Sequence, residues 1–379
     1  MTTRFSSIPT IDLSLANDPT TLPLLLSSLR HALVDVGFLY VTNHGVPPGT
    51  ISDLVDRALP TLFRELTDEE KRAVVLENSP HFLGYGAVGS ESTGGRADLR
   101  EQFEFATELA AVWKEDEDVP LYERLRGPNQ WPRTADPSLR TIIEAYISAL
   151  TDLGLRFLDL VAAALSLPRG TFHPFLSDQH RLKIARYPKT LSVSPSSPQK
   201  SLEFNNQGVG PHKDSSGWWT FLLQASPPSV RGLQVLNKAG QWIDVPAVPG
   251  TFVVNIGQAF EVVTGGLCKA TTHRVVMPAG SDERYSVPFF QGVRRSLTKE
   301  EAVGTLRDHF ERLRREAREG RGGGEDESEE GSLIDSAFLR GKYDTWGESQ
   351  LRTKIRSHRE NGKRFYPQVY ERYINDDCL

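Results

Sequence analysis

The sequence predicts a mixed α/β fold of the α+β kind, a double-sheet jelly-roll barrel with helices flanking it. Three observations predict it. Apolar residues recur at helical spacing through the first half of the 379-residue chain. From position 181 onward, short apolar segments alternate with turn residues, as they do in sandwiches and barrels. Beyond Gly292 the helical spacing returns. On this reading residues 1–180 are helical and mixed, residues 181–295 form the barrel, and residues 296–379 are helical again, all as one structural unit.

The elements follow in order. Asp18-Pro19 combines a capping side chain with a proline that needs no amide partner, a helix start. Leu22, Leu25, Leu26, Leu29, Leu33 and Val36 then form one face, which Gly37 ends. Phe38 to Val41 reads as a strand, Asn43-His44-Gly45 as a turn, and Ile51 to Leu66 as a second helix. Thr67 and Glu70 have capping-box spacing and open a third. Residues 80–135, rich in Gly and Pro, read as loops with short elements. Pro137 opens a long helix with its apolar stripe running from Leu139 to Ala164. The barrel segments are Leu182 to Tyr187, Thr220 to Gln224, Leu233 to Leu236, Trp242 to Val245, Thr251 to Ile256, His273 to Met277 and Ser286 to Gln291. Residues 237–240 form a hairpin turn, and strands of this number fit a jelly roll. Thr298 and Glu301 repeat the capping-box spacing. Glu319 to Ser332 has almost no apolar residue and is expected as a disordered insertion, after which Phe338 and later aromatics dock on the body.

Composition narrows the function. Apolar residues make up 38% of the chain, enough for a sizeable core, and the net charge of −5 gives no basic surplus for a nucleic-acid partner. Cys268 and Cys378 read as free thiols in a reducing compartment. Met1 to Thr10 has no secretory pattern and no stretch is long enough for a membrane span, so the cytosol and a small-molecule substrate are expected.

Of nine histidines, seven read as structural or solvated. His212 and Asp214 are different. They alternate along an extended segment, so both project to one face with Lys213 turned away. His273, from a later strand, supplies a third donor. Two imidazoles and a carboxylate on one face of an octahedral metal leave three positions open, which suits iron(II). Arg284 and Ser286 alternate on another strand, and together they offer a forked grip and a hydroxyl to a carboxylate.

With these residues in view, the sequence resembles the 2-oxoglutarate and iron(II)-dependent dioxygenases of the isopenicillin N synthase-like branch. The resemblance spans nearly the whole chain. It is carried by residues 8–12 (IPTID), 37–46 (GFLYVTNHGV), 232–236 (GLQVL), Trp242, 249–257 (PGTFVVNIG), 273–276 (HRVV) and 284–286 (RYS). It implies a distorted double-stranded β-helix core and iron on His212, Asp214 and His273. It implies 2-oxoglutarate gripped by Arg284 and Ser286, with Tyr187 adding a hydrogen bond. The sequence departs from the pattern at Gln258, expected to cap a helix at Ala259 to Val263, and at Ala185, where plant relatives often have asparagine beside the cosubstrate.

The implied chemistry uses O2 to decarboxylate 2-oxoglutarate to succinate and carbon dioxide while oxidising an unactivated carbon. Ascorbate is expected as a stimulant. Hydroxylation is the expected outcome, with desaturation or cyclisation as variants, on a small and largely apolar molecule. Trp218, Phe221, Leu236 and Phe290 are the expected substrate wall. Two alternatives stay open from sequence alone: an iron oxidase that uses no 2-oxoglutarate, as isopenicillin N synthase does, and a non-catalytic jelly-roll binding module.

Overall fold

The N-terminal leucines fold as their spacing predicts. The computed structural model describes residues 5–375 except 116, 134–135, 191–205, 279 and 320–333. The chain enters through strand β1 (Thr10–Asp12) and reaches helix α1 (Leu22–His31). Asp18 does not cap that helix. Its carboxylate accepts from the amide and hydroxyl of Thr20 and closes a turn instead. A π-helical stretch, Ala32–Val36, carries the chain to Gly37. Gly37 holds φ +75°, and a Cβ there would lie 2.4 Å from both the Lys269 carbonyl and the Thr271 hydroxyl, so only glycine fits.

Strand β2 (Phe38–Thr42) follows, then helix α2 (Pro48–Asp53), extended by π-helical segments Leu54–Ala58 and Thr61–Glu65. Helix α3 (Asp68–Ala73) starts on the predicted capping box between Thr67 and Glu70. The segment expected as loops holds more strand than its composition suggests: β3 (Gly84–Gly86), β4 (Ser92–Thr93), β5 (Arg96–Ala97) and β6 (Glu101–Ala106). Strand β6 is buried throughout. Its Gln102 and Glu104, polar yet buried, break the apolar alternation that reveals the other strands. Helix α4 (Leu139–Ala164) carries the long apolar stripe.

The barrel region contains β7 (Arg181–Tyr187), β8 (Gln207–His212), β9 (Gly217–Gln224), β10 (Leu233–Leu236), β11 (Trp242–Asp244) and β12 (Phe252–Ile256). Helix α5 (Gln258–Val263), β13 (His273–Val276) and β14 (Arg284–Gly292) complete it. The Gly240 amide donates to the Asn237 carbonyl across the predicted hairpin turn between β10 and β11. The large sheet runs β1-β2-β12-β9-β14-β7-β6-β3, and the small one β11-β10-β13-β8. One apolar core, with Phe38, Tyr40, Tyr187, Val209, Leu222 and Val235, draws on both sheets and fills the space between them. A second core joins the other face of the large sheet to α1 and α4, with Leu29, Phe157, Phe221 and Phe289. Register shifts between β13 and β8, and between β14 and β9, distort the double-stranded β-helix.

Helices α6 (Lys299–Gly304), α7 (Arg307–Glu319), α8 (Ala337–Arg340), α9 (Trp346–Ser357), α10 (Arg359–Phe365) and α11 (Pro367–Ile374) follow. Phe338 is buried against Trp346, as expected of the docked end. The insertion expected over 319–332 lies outside the described residues, apart from Glu319 at the end of α7. No helix among the described residues is long and apolar enough to cross a membrane.

Candidate metal and cosubstrate site

His212 ends β8 and His273 begins β13, and the two are direct partners in the small sheet. Their ring centroids are 4.3 Å apart. Asp214 lies two positions beyond the end of β8 rather than within a strand, yet its carboxylate faces both rings. The Oδ1 atom is 3.6 Å from His212 Nε2 and 3.6 Å from His273 Nε2. One donor atom from each residue falls within 4.8 Å of the others.

The remaining polar atoms of the three residues are tied back. His212 Nδ1 is 2.8 Å from the Gly210 carbonyl, and His273 Nδ1 is 3.1 Å from the Thr271 carbonyl. Each carbonyl fixes its ring with Nδ1 protonated, which leaves the Nε2 lone pair for a metal. Asp214 Oδ2 accepts from Thr220 Oγ1 at 2.5 Å and from Asn255 Nδ2 at 2.7 Å, so Oδ1 remains for coordination. Burial and the neighbouring His212 push His273 down to about 4, so its imidazole is neutral at neutral pH. Burial would raise the Asp214 carboxyl, but the adjacent imidazoles of His273 and His212 and the Thr220 hydroxyl hold it well below the usual range. Two imidazole nitrogens and one carboxylate oxygen on one side of a common point fit a divalent iron that keeps open positions.

Thr220 on β9 and Asn255 on β12 are not among the residues that the sequence singles out. Asn255 does leave a signal, as the one polar residue in the buried run Phe252 to Ile256. Gln258 does not cap α5. Gly257 takes the cap position, and the Gln258 amide donates to the Asp214 carbonyl at 2.9 Å. Lys213 turns away, its ammonium 3.4 Å from Glu261.

Arg284 is 1% exposed and lies above the Tyr187 ring, 5.0 Å from its centroid. Its Nη2 donates to Gln224 at 3.2 Å, while Nη1 is buried with no partner, and no carboxylate among the described residues pairs with it. Ser286 and Tyr187 are buried beside it. Burial would raise the Tyr187 phenol, but the Arg100 and Arg284 guanidiniums outweigh it and lower it. A buried cation with an idle donor is the arrangement a carboxylate ligand satisfies.

The expected substrate wall is corrected on three of four residues. Trp218 is fully buried, stacked on Phe175 and set against Phe172 and Phe260 in the helix-side core. Phe221 packs on Phe157 of α4, on the face of β9 opposite to Thr220. Leu236 is adjacent to Val235, which lies opposite His273, so alternation sends Leu236 to the other face. Phe290 shares the site's face, opposite Thr220.

Residues 179–293 match the 2OG-Fe(II) oxygenase superfamily, and residues 8–134 match the family described as non-haem dioxygenase in morphine synthesis N-terminal. The chain belongs to the 2OG-Fe(II) oxygenase superfamily. Among its relatives is the 2-oxoglutarate-dependent dioxygenase frbJ of a Dothideomycetidae species, 41% identical over 375 residues, 96% of this chain and 94% of the relative. The soybean (Glycine max) homoarginine-6-hydroxylase 2-ODD-C23 is 33% identical over 76% of this chain and 86% of its own. A full-length Neurospora crassa protein, solved in complex with alpha-KG and thymine, superposes with a TM-score of 0.62 at 25% identity, covering 76% of this chain and 86% of that one. The oxygenase is therefore an enzyme of iron(II), 2-oxoglutarate and O2.

Proposed function

We propose that this oxygenase hydroxylates a small organic molecule, with His212, Asp214 and His273 holding iron(II) and with Arg284, Ser286 and Tyr187 seating the distal carboxylate of 2-oxoglutarate. The observation that carries this reading is the convergence of three donor atoms within 4.8 Å, each residue's other polar atom already engaged. Bound iron supplies the activation of O2 that couples oxidative decarboxylation of 2-oxoglutarate to oxidation of a substrate carbon. The chain's own residues position and exclude. The Gly210 and Thr271 carbonyls orient the imidazoles. Thr220 and Asn255 orient the carboxylate. Arg284 offers its idle Nη1 to the cosubstrate while the apolar core around Tyr187 and Leu222 keeps water away.

The face that Phe290 shares with Thr220 supports its role on the substrate wall. Relatives named for homoarginine and for 1-aminocyclopropane-1-carboxylate, and fold neighbours solved with thymine or named for auxin oxidation, support a small organic molecule as the substrate. A cytosolic setting is supported by the buried, unbridged Cys268. Anaerobic titration of the iron-loaded protein with 2-oxoglutarate tests the site. A metal-to-ligand charge-transfer band is expected; its absence at saturating 2-oxoglutarate sinks the reading.

A further inference from the structure

We propose that Gln224 is a positioning residue for the cosubstrate: its neutral amide oxygen aims the Arg284 guanidinium at the distal carboxylate of 2-oxoglutarate and leaves the charge of that cation unspent. This role rests on the Arg284 clamp read above and adds the residue that holds the clamp in place.

Register brings the two side chains together. Gln224 is the last residue of β9 and lies opposite Ser286 on β14. Arg284 is two positions from Ser286 along β14, so Gln224, Ser286 and Arg284 share a face. Strand β14 runs between β7 and β9, and Arg284 lies opposite Tyr187 of β7. The cation therefore has the Tyr187 ring on one flank and Gln224 on the other.

The Gln224 amide can stand only one way round. Its Nε2 donates to the Val245 carbonyl at 3.0 Å, just past the end of β11 in the small sheet. Its Oε1 accepts from Arg284 Nη2 at 3.2 Å. Turning the amide over would set its oxygen against a carbonyl and its NH2 group against a cation. The small sheet thus fixes an acceptor for a cation on the large one.

Charge accounts for an amide here rather than a carboxylate. Arg284 is 1% exposed, and no carboxylate among the described residues pairs with it. A carboxylate at position 224 would form a forked ion pair with the guanidinium and compete with an incoming ligand. A neutral amide takes one N–H and sets the guanidinium plane without cancelling its charge. The Nη1 group stays buried and without a partner.

Gln224 also borders open space. A cavity of about 220 Å³ is lined by Leu222, Gln224, Ser226, Ala247, Val248 and Val253, and Arg284 is not part of its wall. Gln224 is common to that wall and to the partners of Arg284, so its side chain stands between the cavity and the guanidinium. A shorter residue would let water reach the cation, which is why the variants below keep the length of glutamine.

The test is anaerobic titration of the full iron(II)-loaded chain, read by the charge-transfer band. One ligand is 2-oxoglutarate; the other is 2-oxopentanoate, which carries a methyl group where 2-oxoglutarate has its distal carboxylate. Both chelate through the same end, so the ratio of their affinities isolates the clamp. Wild type should prefer 2-oxoglutarate by about 100-fold or more. Gln224→Met removes the acceptor and should narrow that preference about tenfold. Gln224→Glu keeps the shape but pairs with Arg284, and should narrow it about 100-fold. Affinity for iron and for 2-oxopentanoate should stay within about threefold of wild type in both. A packing role gives the opposite order, with Gln224→Glu the milder change. A preference within about threefold of wild type in either folded variant overturns the proposal, as does equal loss for both keto acids. If one variant fails to fold, the other decides; misfolding of both assigns Gln224 to the fold and overturns the proposal as well. A wild-type protein without the band fails at the metal site, and one with the band but no preference fails at Arg284. Variants that keep the preference of a clamping wild type count against Gln224 alone.

Discussion

Removing the amide that holds Asp214 should loosen iron without touching a coordinating atom. Asn255 Nδ2 and Thr220 Oγ1 donate to one carboxylate oxygen, at 2.7 Å and 2.5 Å, in a residue that is 8% exposed. A hydrogen bond to a buried charged group contributes about 1.5–3 kcal/mol. At about 1.4 kcal/mol per decade, Asn255→Ala should weaken iron(II) binding by roughly 10- to 100-fold. Thr220→Val keeps the side-chain volume and should act in the same range. The double variant should lose less than the two effects added, because the donors share one acceptor. Anaerobic iron titration by equilibrium dialysis measures the affinity, with urea melts to confirm the fold. Variants that fold normally and bind iron within about threefold of wild type would refute the claim that these bonds orient the carboxylate.

Arg284→Ala should keep iron affinity while raising the 2-oxoglutarate requirement by about 100-fold or more, since a buried carboxylate would lose its charged partner; an unchanged requirement removes Arg284 from the clamp. Burial pushes His180 down to about 4, so the folded state holds it neutral. Its contribution is complete above pH 6.5, the ordinary value, and is lost as pH falls toward 4, up to about 3 kcal/mol in all. His180→Gln should therefore flatten the fall in melting temperature between pH 7 and pH 5, and an unaltered slope counts against a buried neutral His180. Gly37→Ala places a Cβ 2.4 Å from the Lys269 carbonyl at φ +75°, and should cost more than about 1 kcal/mol in denaturant midpoint experiments; an unchanged midpoint would mean the backbone there yields freely.

The sequence conveyed most of the barrel because its strands alternate cleanly and end on turn residues. The hairpin at Asn237 to Gly240 and the capping box at Thr67 were legible from local chemistry alone. Strand β6 was not, because Gln102 and Glu104 are polar residues in a buried strand, and alternation cannot distinguish an ionic interior from a solvated face. The trio His212, Asp214 and His273, proposed to hold iron, was legible as residue types at the spacing that brings them together. Its support was not, since Thr220 and Asn255 reach Asp214 only through tertiary contact. Trp218 and Phe221 misled for a related reason: both faces of β9 are apolar, and only α4 and the Phe172–Phe175 segment decide which face each ring takes.

His212 and His273 project from the small sheet, whereas Asp214 is anchored to β9 and β12 of the large one. An ion gripped by all three would rivet the two layers together at the barrel's mouth. Stripping it with a chelator should thus do more than silence the enzyme: amides of β8 and β13 near that rim should exchange with deuterium faster, while those of α4, far behind the opposite layer, keep their pace.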